Sequence, residues 1–119
     1  MQRESWMTFA DVTLRGRAGR DVEVKHTPSG AMIAQTTVAI RRGKKGAEKT
    51  LWLPIKGFND GARSMQGIRK GQLVTLTGTL DVNQWTDRET GAARERIEVL
   101  VDSVDFNAPT DSVDFDDVP

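Results

Sequence analysis

The sequence TLWLPIKGF, residues 50–58, alternates strictly between two kinds of side chain. Successive side chains of a β-strand point to opposite faces, so one face carries Leu51, Leu53 and Ile55. That face fits a hydrophobic core. The opposite face carries a different set, Trp52, Pro54, Lys56 and Phe58. The stretch therefore predicts a strand from Thr50 to Phe58 that covers a core and presents two large rings and a cation on its other side.

A longer stretch, QLVTLTGTLDVNQW at residues 72–85, repeats the alternation. Its aliphatic side chains fall on one face, at Val74, Leu76, Leu80 and Val82. The other face is polar and ends in Trp85. Gly78 lies on the apolar side, and a glycine inside a strand marks a sharp bend or the close approach of another backbone. Closure of a barrel requires such a position.

The same period of two dominates the rest of the chain, and glycines interrupt it about every ten residues, which favours a small all-β barrel or sandwich. Further strands are predicted for Thr8 to Arg17, Ala31 to Arg41 and Arg94 to Phe106, with a short extended piece from Val22 to Lys25. A short helix is predicted from Asn59 or Asp60 to about Ile68, with a side-chain oxygen as its N-cap.

Five strands with a short helix between the third and fourth match the Greek-key barrel of the OB-fold, whose outer face binds single-stranded nucleic acid. The chain has 119 residues, which suits one domain. We predict that this domain covers residues 1–106. Residues 107–119 contain too few apolar groups to offset the entropy lost on ordering, so we predict a short disordered acidic tail.

Composition excludes several classes of function. The chain has no cysteine and one histidine, His26, so disulfides, thiolate metal sites and thiol nucleophiles are absent. It also lacks a Gly-x-Ser-x-Gly elbow and a phosphate-binding glycine loop. We therefore predict a protein that is not an enzyme and has no cofactor and no metal. Neither a leader peptide nor a membrane span is apparent, which predicts a cytoplasmic protein without a membrane partner. If the chain binds DNA, we expect it to be nucleoid-associated.

The charges of the chain are strongly asymmetric although the formal net charge is zero. Residues 1–101 carry all 17 basic residues and 11 acidic ones, a net of +6, whereas residues 102–119 carry six aspartates and no base. A basic body followed by an acidic end indicates a polyanion-binding domain with a tail that competes for the same surface. The alternative is a solvated terminus that only aids solubility.

Three outward rings and a set of basic residues are the candidate DNA-binding groups. Aromatic side chains can stack on bases with little regard for sequence, and the candidates for this are Trp52, Phe58 and Trp85. Basic residues neutralise phosphates, and the candidates are Arg41, Arg42, Lys44, Lys45, Lys49, Lys56 and Lys70. The alternatives are an oligomer contact or a second small core for each tryptophan, and a solvated charge for each lysine.

Several motifs together resemble the bacterial-type single-stranded DNA-binding protein (SSB) family over Met7 to Phe106. Residues 12–25, VTLRGRAGRDVEVK, are similar to its opening strand and the Gly-x-x-Gly-x-Asp-Pro-Glu continuation. Residues 27–30 resemble its Pro-Asn-Gly turn, residues 69–71 its Arg-Lys-Gly, and residues 84–87 its Lys-Trp-Thr-Asp. The resemblance implies single-stranded DNA binding in replication, repair and recombination, and a homotetramer.

Within this resemblance, Trp52, Phe58 and Trp85 match the family's stacking positions and Lys70 matches a basic one. The chain departs from the pattern in three places. The loop from Arg41 to Lys49 has no aromatic residue, Val22 replaces a usual proline, and Gln84 replaces a frequent base. We therefore expect this loop to act mainly by charge.

The C-terminal sequence DFDDVP, residues 114–119, resembles the acidic tip through which the family recruits replication and repair proteins, but it lacks the usual final phenylalanine. The candidate partner-binding residues are Asp114, Phe115, Asp116, Asp117, Val118 and Pro119. Residues 111–115 also repeat residues 102–106, DSVDF, which is compatible with a duplication without function. A second hypothesis for the whole chain is a primosome-type OB adaptor in which Trp52 and Trp85 pack against protein. The N-terminal Trp6 either docks on the barrel or precedes a natural start at Met7.

Overall fold

Six strands and one short helix make up the fold of residues 4–106, the part of the chain that the computed structural model describes. The strands are β1 (Asp11–Ala18), β2 (Glu23–His26), β3 (Met32–Arg42), β4 (Lys49–Phe58), β5 (Leu73–Thr86) and β6 (Ala93–Asp105). The helix α1 (Asp60–Met65) lies between β4 and β5. The predicted segments match these elements closely. Among the strands the largest difference is at the first, which begins three residues later than expected.

The strands close into the predicted barrel. Their hydrogen-bonded order is β1-β5-β6-β4-β3-β2, and β1 also pairs with β3 at Arg17–Ala39 and Ala18–Val38. Among the described strands only β4 and β6 run parallel, at Ile55–Val99 and Lys56–Leu100. The short piece predicted after the first strand forms β2, which continues along β3 beyond β1. Counting β1 and β2 as one bent strand gives the five-stranded OB-fold barrel expected from the sequence.

The core lies inside this barrel and is capped by α1. Its fully buried side chains include Ile55, Leu76 and Val99 from the strands and Met65 from the helix. Gly78 has the role predicted for it: a methyl group there would collide with the carbonyl oxygen of Leu100, and the β5–β6 pairing shifts register at this point. Only glycine allows the two backbones to approach so closely.

The prediction of core positions is wrong for three aliphatic residues. Leu51 is 54% exposed, Leu80 is 40% exposed and Val82 is 43% exposed. All three lie on the face that the alternation assigned to the core. They are exposed because the β3–β4 and β5–β6 hairpins continue past the body of the barrel, where the inner face is no longer covered by the rest of the described chain.

The helix begins at Asp60, as predicted, but its end and its capping differ from expectation. It ends at Met65 rather than near Ile68, and Gly67 turns the chain with a φ of 90°. Ile68 is nevertheless fully buried. The predicted N-cap is also wrong, because the Asn59 side chain makes no capping bond. Its Oδ1 instead accepts a hydrogen bond of 3.1 Å from the N–H of Met32, which ties the start of the helix to β3.

The two ends of the chain lie outside the strands of the barrel. Trp6 is 78% exposed, so it does not dock on the barrel of residues 4–106. The predicted tail, residues 107–119, lies outside the described residues. Within the described range, no helix has the length and apolar character that crossing a membrane requires.

Candidate nucleic-acid interface

The three predicted rings point outward on two strands of the sheet, β4 and β5. Trp52 and Phe58 of β4 are 59% and 47% exposed, and Trp85 of β5 is 44% exposed. Strand β6 lies between β4 and β5 in the sheet. The core-facing residues of the same strands, such as Ile55 and Leu76, are 1% exposed. The rings therefore lie on the outer surface of one continuous part of the sheet.

The outer face forms a long track rather than a pocket. Lys56 is level with Leu100 of β6, whereas Trp85 is level with Arg94 of the same strand. Six residues of strand separate these levels, which corresponds to roughly 20 Å. Side chains spread over this length suit a polymer better than a small molecule.

Cations lie beside two of the rings. The Nζ atom of Lys56 is 5.7 Å from the centre of the Phe58 ring. The guanidinium of Arg96 is 6.0 Å from the centre of the Trp85 ring. Both distances are within the range of cation–π attraction. This places positive charge next to two of the exposed rings.

Arg94 and Arg96 belong to the outer face of β6 but were not predicted as site residues. They are directly opposite Trp85 and Asn83 of β5. Glu98, on the same face, is only 3% exposed, and its Oε2 is 3.8 Å from Nη2 of Arg96. In the sequence, Arg94 and Arg96 occupy the alternate positions to Ile97 and Val99. This alternation indicates that the two arginines lie on the outer face.

A basic groove adjoins Trp52, where β1, β3 and the β3–β4 loop meet. Its volume is about 950 Å³, and its basic lining residues are Arg15, Arg17, Arg41, Arg42 and Lys45. Trp52 also lines it, and among its described lining residues Glu48 is acidic. Three of the predicted residues, Arg41, Arg42 and Lys45, are thus brought together with Trp52.

Arg15 and Arg17 were missed by the sequence analysis. They alternate along β1 with the buried residues Leu14, Gly16 and Ala18, so their outward direction was readable. Their proximity to the β3–β4 loop was not readable, because it depends on the pairing of Arg17 with Ala39 that closes the barrel.

The other predicted cations lie outside the basic groove. Lys49 is opposite Arg42 at the end of the β3–β4 hairpin. Lys44 is in the loop, where its carbonyl accepts a hydrogen bond of 2.8 Å from the N–H of Ala47. Lys70 precedes β5, and its N–H donates to Oδ1 of Asp21 at 2.8 Å. That contact places Lys70 beside the connection between β1 and β2.

Two carboxylates help to order the loops around these surfaces. The N–H of Gly46 donates to Glu48 and lowers the pKa of that carboxyl. The N–H groups of Glu89 and Thr90 donate to Asp87 and lower its pKa, with a smaller contribution from Arg94. Both groups are therefore ionised at neutral pH. They order the basic loop and the turn that follows Trp85.

Comparison with known proteins identifies the family. Residues 9–107 match the Single-strand binding protein family. Single-stranded DNA-binding protein 1 of Nostoc sp. is 32% identical over 101 residues, which cover 84% of both chains. Single-stranded DNA-binding protein 1 of Synechocystis sp. is 33% identical with the same coverage. The single-stranded DNA-binding protein of Thermosynechococcus vestitus is 31% identical over 91% of this chain and 90% of its own. With its barrel and outer face in agreement, the chain belongs to the single-strand binding protein family.

Proposed function

We propose that this chain binds single-stranded DNA with little sequence preference and protects it during replication, repair and recombination. The observation that carries this proposal is the combination of Trp52, Phe58 and Trp85 on one outer face with the adjoining basic groove. The names of the relatives support it, since each is a single-stranded DNA-binding protein.

The exposed rings favour a single strand over a duplex. Each base has a π-face that an aromatic side chain can cover, so stacking contributes about 1–3 kcal/mol per base and tolerates any sequence. In a duplex these faces are covered by neighbouring bases. The outer face therefore offers its rings only to a strand whose bases are free to turn outward.

Phosphate contacts come from the cations around the rings. The basic groove supplies Arg41, Arg42 and Lys45 together with Arg15 and Arg17. Lys56 lies on the ring-bearing face of β4, while Lys44, Lys49 and Lys70 extend the positive field beyond the groove. Charge contacts of this kind position the strand without reading its sequence.

A direct test compares labelled oligo(dT) with a duplex of equal length by fluorescence anisotropy at low salt. We expect tight binding of the single strand and much weaker binding of the duplex. Oligo(dA) or a mixed sequence should bind within a few-fold of oligo(dT). Equal affinity for duplex and single strand would contradict the proposal, and no binding of either would favour the adaptor hypothesis, in which the rings contact protein.

We also infer that the protein assembles with copies of itself, as a homotetramer. Leu80, Val82 and Ile97 continue the core face onto the projecting β5–β6 hairpin, where Ile97 is 58% exposed and lies opposite Val82. Burying an aliphatic side chain contributes about 1.5–3 kcal/mol, so this apolar stripe favours association.

Sedimentation analysis tests the assembly. We expect the native chain to sediment with four times the monomer mass and a Val82→Asp, Ile97→Asp variant to form smaller species with an intact barrel. A native chain that sediments as a monomer at micromolar concentration would refute the inference.

The acidic tail is proposed to act on both the barrel and other proteins. Its candidate partner-binding residues, 114–119, remain a proposal for recruitment of replication and repair proteins. The end of β6 lies close to one residue of the basic groove. Asp105 pairs with Thr75, and Thr75 pairs with Arg15, so the chain leaves β6 two strands from a groove residue, roughly 10 Å away.

Deletion of residues 107–119 should raise the affinity for oligo(dT) at low salt. It removes four aspartates that compete with phosphate for the basic groove. The gain should nearly vanish at about 1 M salt, where the Debye length is only about 3 Å. Anisotropy titrations across a salt series measure this effect.

A matched control keeps the length of the tail. Replacing Asp111, Asp114, Asp116 and Asp117 with asparagine should reproduce the gain, because charge rather than bulk is responsible. An unchanged affinity of both variants at low salt would remove the tail from any role on the barrel. Failure of a peptide of residues 107–119 to bind replication or repair proteins would contradict the recruitment proposal.

A further inference from the structure

Gly19, in the connection between β1 and β2, lies directly against Trp52. A methyl group added at Gly19 would be 2.9 Å from Cζ3 and 3.6 Å from Cε3 of the Trp52 ring. It would also be 2.6 Å from Oγ1 of Thr37. The backbone of Gly19 is not in the left-handed region, so its conformation is open to other residues. What glycine provides here is space for the six-membered ring of Trp52.

The segment from Gly19 to Asp21 is fixed by three consecutive hydrogen bonds. The N–H of Gly19 donates to the carbonyl of Thr37 at 2.8 Å. The hydroxyl of Thr36, a residue only 1% exposed, donates to the carbonyl of Arg20 at 2.9 Å. The side chain of Asp21 accepts from the N–H of Lys70 at 2.8 Å. The segment is therefore a rigid support, and we name it the Gly19 shelf.

Trp52 contacts the Gly19 shelf and remains largely exposed. The ring remains 59% exposed although its six-membered part touches the shelf. Its partner across the β3–β4 ladder is Ala39, which is too small to hold a large ring in place. The shelf is thus a contact that can restrict the ring while more than half of its surface stays open to a ligand.

We propose that Gly19 is a positioning residue, which sets the orientation in which Trp52 receives a base beside the basic groove. This inference rests on the proposed stacking of a base on Trp52. A ring that is already ordered loses less conformational freedom when the base arrives, so preorganisation raises affinity. The shelf also binds the backbone N–H of Lys70 through Asp21. The same segment therefore positions the Trp52 ring and the backbone of a basic residue.

The test is a double-mutant cycle of Gly19→Ala and Trp52→Ala, read out as affinity for oligo(dT). We expect Gly19→Ala to lower the affinity about 5-fold in the native background, near the lower limit for loss of one stacked base. In the Trp52→Ala background the same change should have no effect. An equal loss in both backgrounds, or no loss in the native one, would overturn the role of Gly19. No loss for Trp52→Ala would instead contradict stacking at Trp52, on which the role of Gly19 rests.

Thr37 provides the controls. Thr37→Ala should leave the affinity unchanged, and Gly19→Ala combined with Thr37→Ala removes the second close contact, so the displaced ring remains the only cause of any loss. A melting temperature near that of the native chain establishes that each barrel is folded.

A second experiment tests the shelf in a protein that keeps Gly19. In a Trp6→Phe, Trp85→Phe variant, time-resolved fluorescence anisotropy should show that Trp52 turns only with the whole protein in the absence of DNA. A fast, large-amplitude motion of the ring would refute the shelf even where the glycine variants failed to fold.

Discussion

Replacing Trp52 or Trp85 with alanine is expected to lower the affinity for oligo(dT) about 5- to 150-fold, the range that corresponds to one stacked base. The loss should be nearly the same at every salt concentration, because stacking releases no counterions. Both rings are exposed on the outer face, and neither contributes to the core, so the variants should fold. Anisotropy titrations at several salt concentrations measure the loss directly.

Trp6 supplies the matched control. It is the most exposed of the three tryptophans, and it precedes β1 and so belongs to none of the strands that carry the ring-bearing face. Trp6→Ala should therefore leave the affinity unchanged. If folded Trp52→Ala and Trp85→Ala proteins kept full affinity, these rings would be oligomer or protein contacts rather than stacking platforms.

Neutralising the basic groove should lower the affinity strongly at low salt and hardly at all at high salt, unlike the loss of a ring. Each phosphate contact on a single strand contributes about −0.7 to the slope of log affinity against log salt. Replacing Arg41, Arg42 and Lys45 with glutamine should therefore flatten the slope by about 2 and weaken binding by about 100-fold or more at 50 mM salt. The loss should disappear as salt approaches 1 M.

Neighbouring lysines allow a sharper comparison within the same loop. Lys45 lines the basic groove, whereas Lys44 does not. Lys45→Gln should flatten the salt slope more than Lys44→Gln, although both remove one charge from the same hairpin. Equal effects of the two would indicate that the loop acts through its overall charge and that the groove is not the path of the phosphates. An unchanged slope in the triple variant would remove the groove from binding altogether.

The alternation of side chains was sufficient to predict most of the fold and the outward direction of the rings in the site. It assigns a face to each residue of a strand, which is why Trp52, Phe58 and Trp85 were expected outside. Alternation does not tell how far a strand continues beyond the barrel. Leu80 and Val82 were therefore assigned to the core although they lie on a projecting hairpin.

The groove shows a second limit of the sequence. Its cations come from β1 and from the end of β3 with the following loop. These parts of the chain are more than twenty residues apart and meet only through the closure of the barrel. No local sequence pattern predicts that these cations lie close together. The contact between Gly19 and Trp52 could not be predicted for the same reason. A glycine between two strands normally indicates a turn, and only the folded structure shows that the Trp52 ring packs against it.

Tryptophan fluorescence reports whether the outward tryptophans stack on the bases of a single strand. In a Trp6→Phe variant the emission comes only from Trp52 and Trp85. We predict that titration with oligo(dT) at low salt quenches this emission strongly and reaches saturation at micromolar concentrations. An unchanged emission under conditions in which anisotropy shows bound DNA would contradict stacking, and an absence of both signals would contradict single-stranded DNA binding itself.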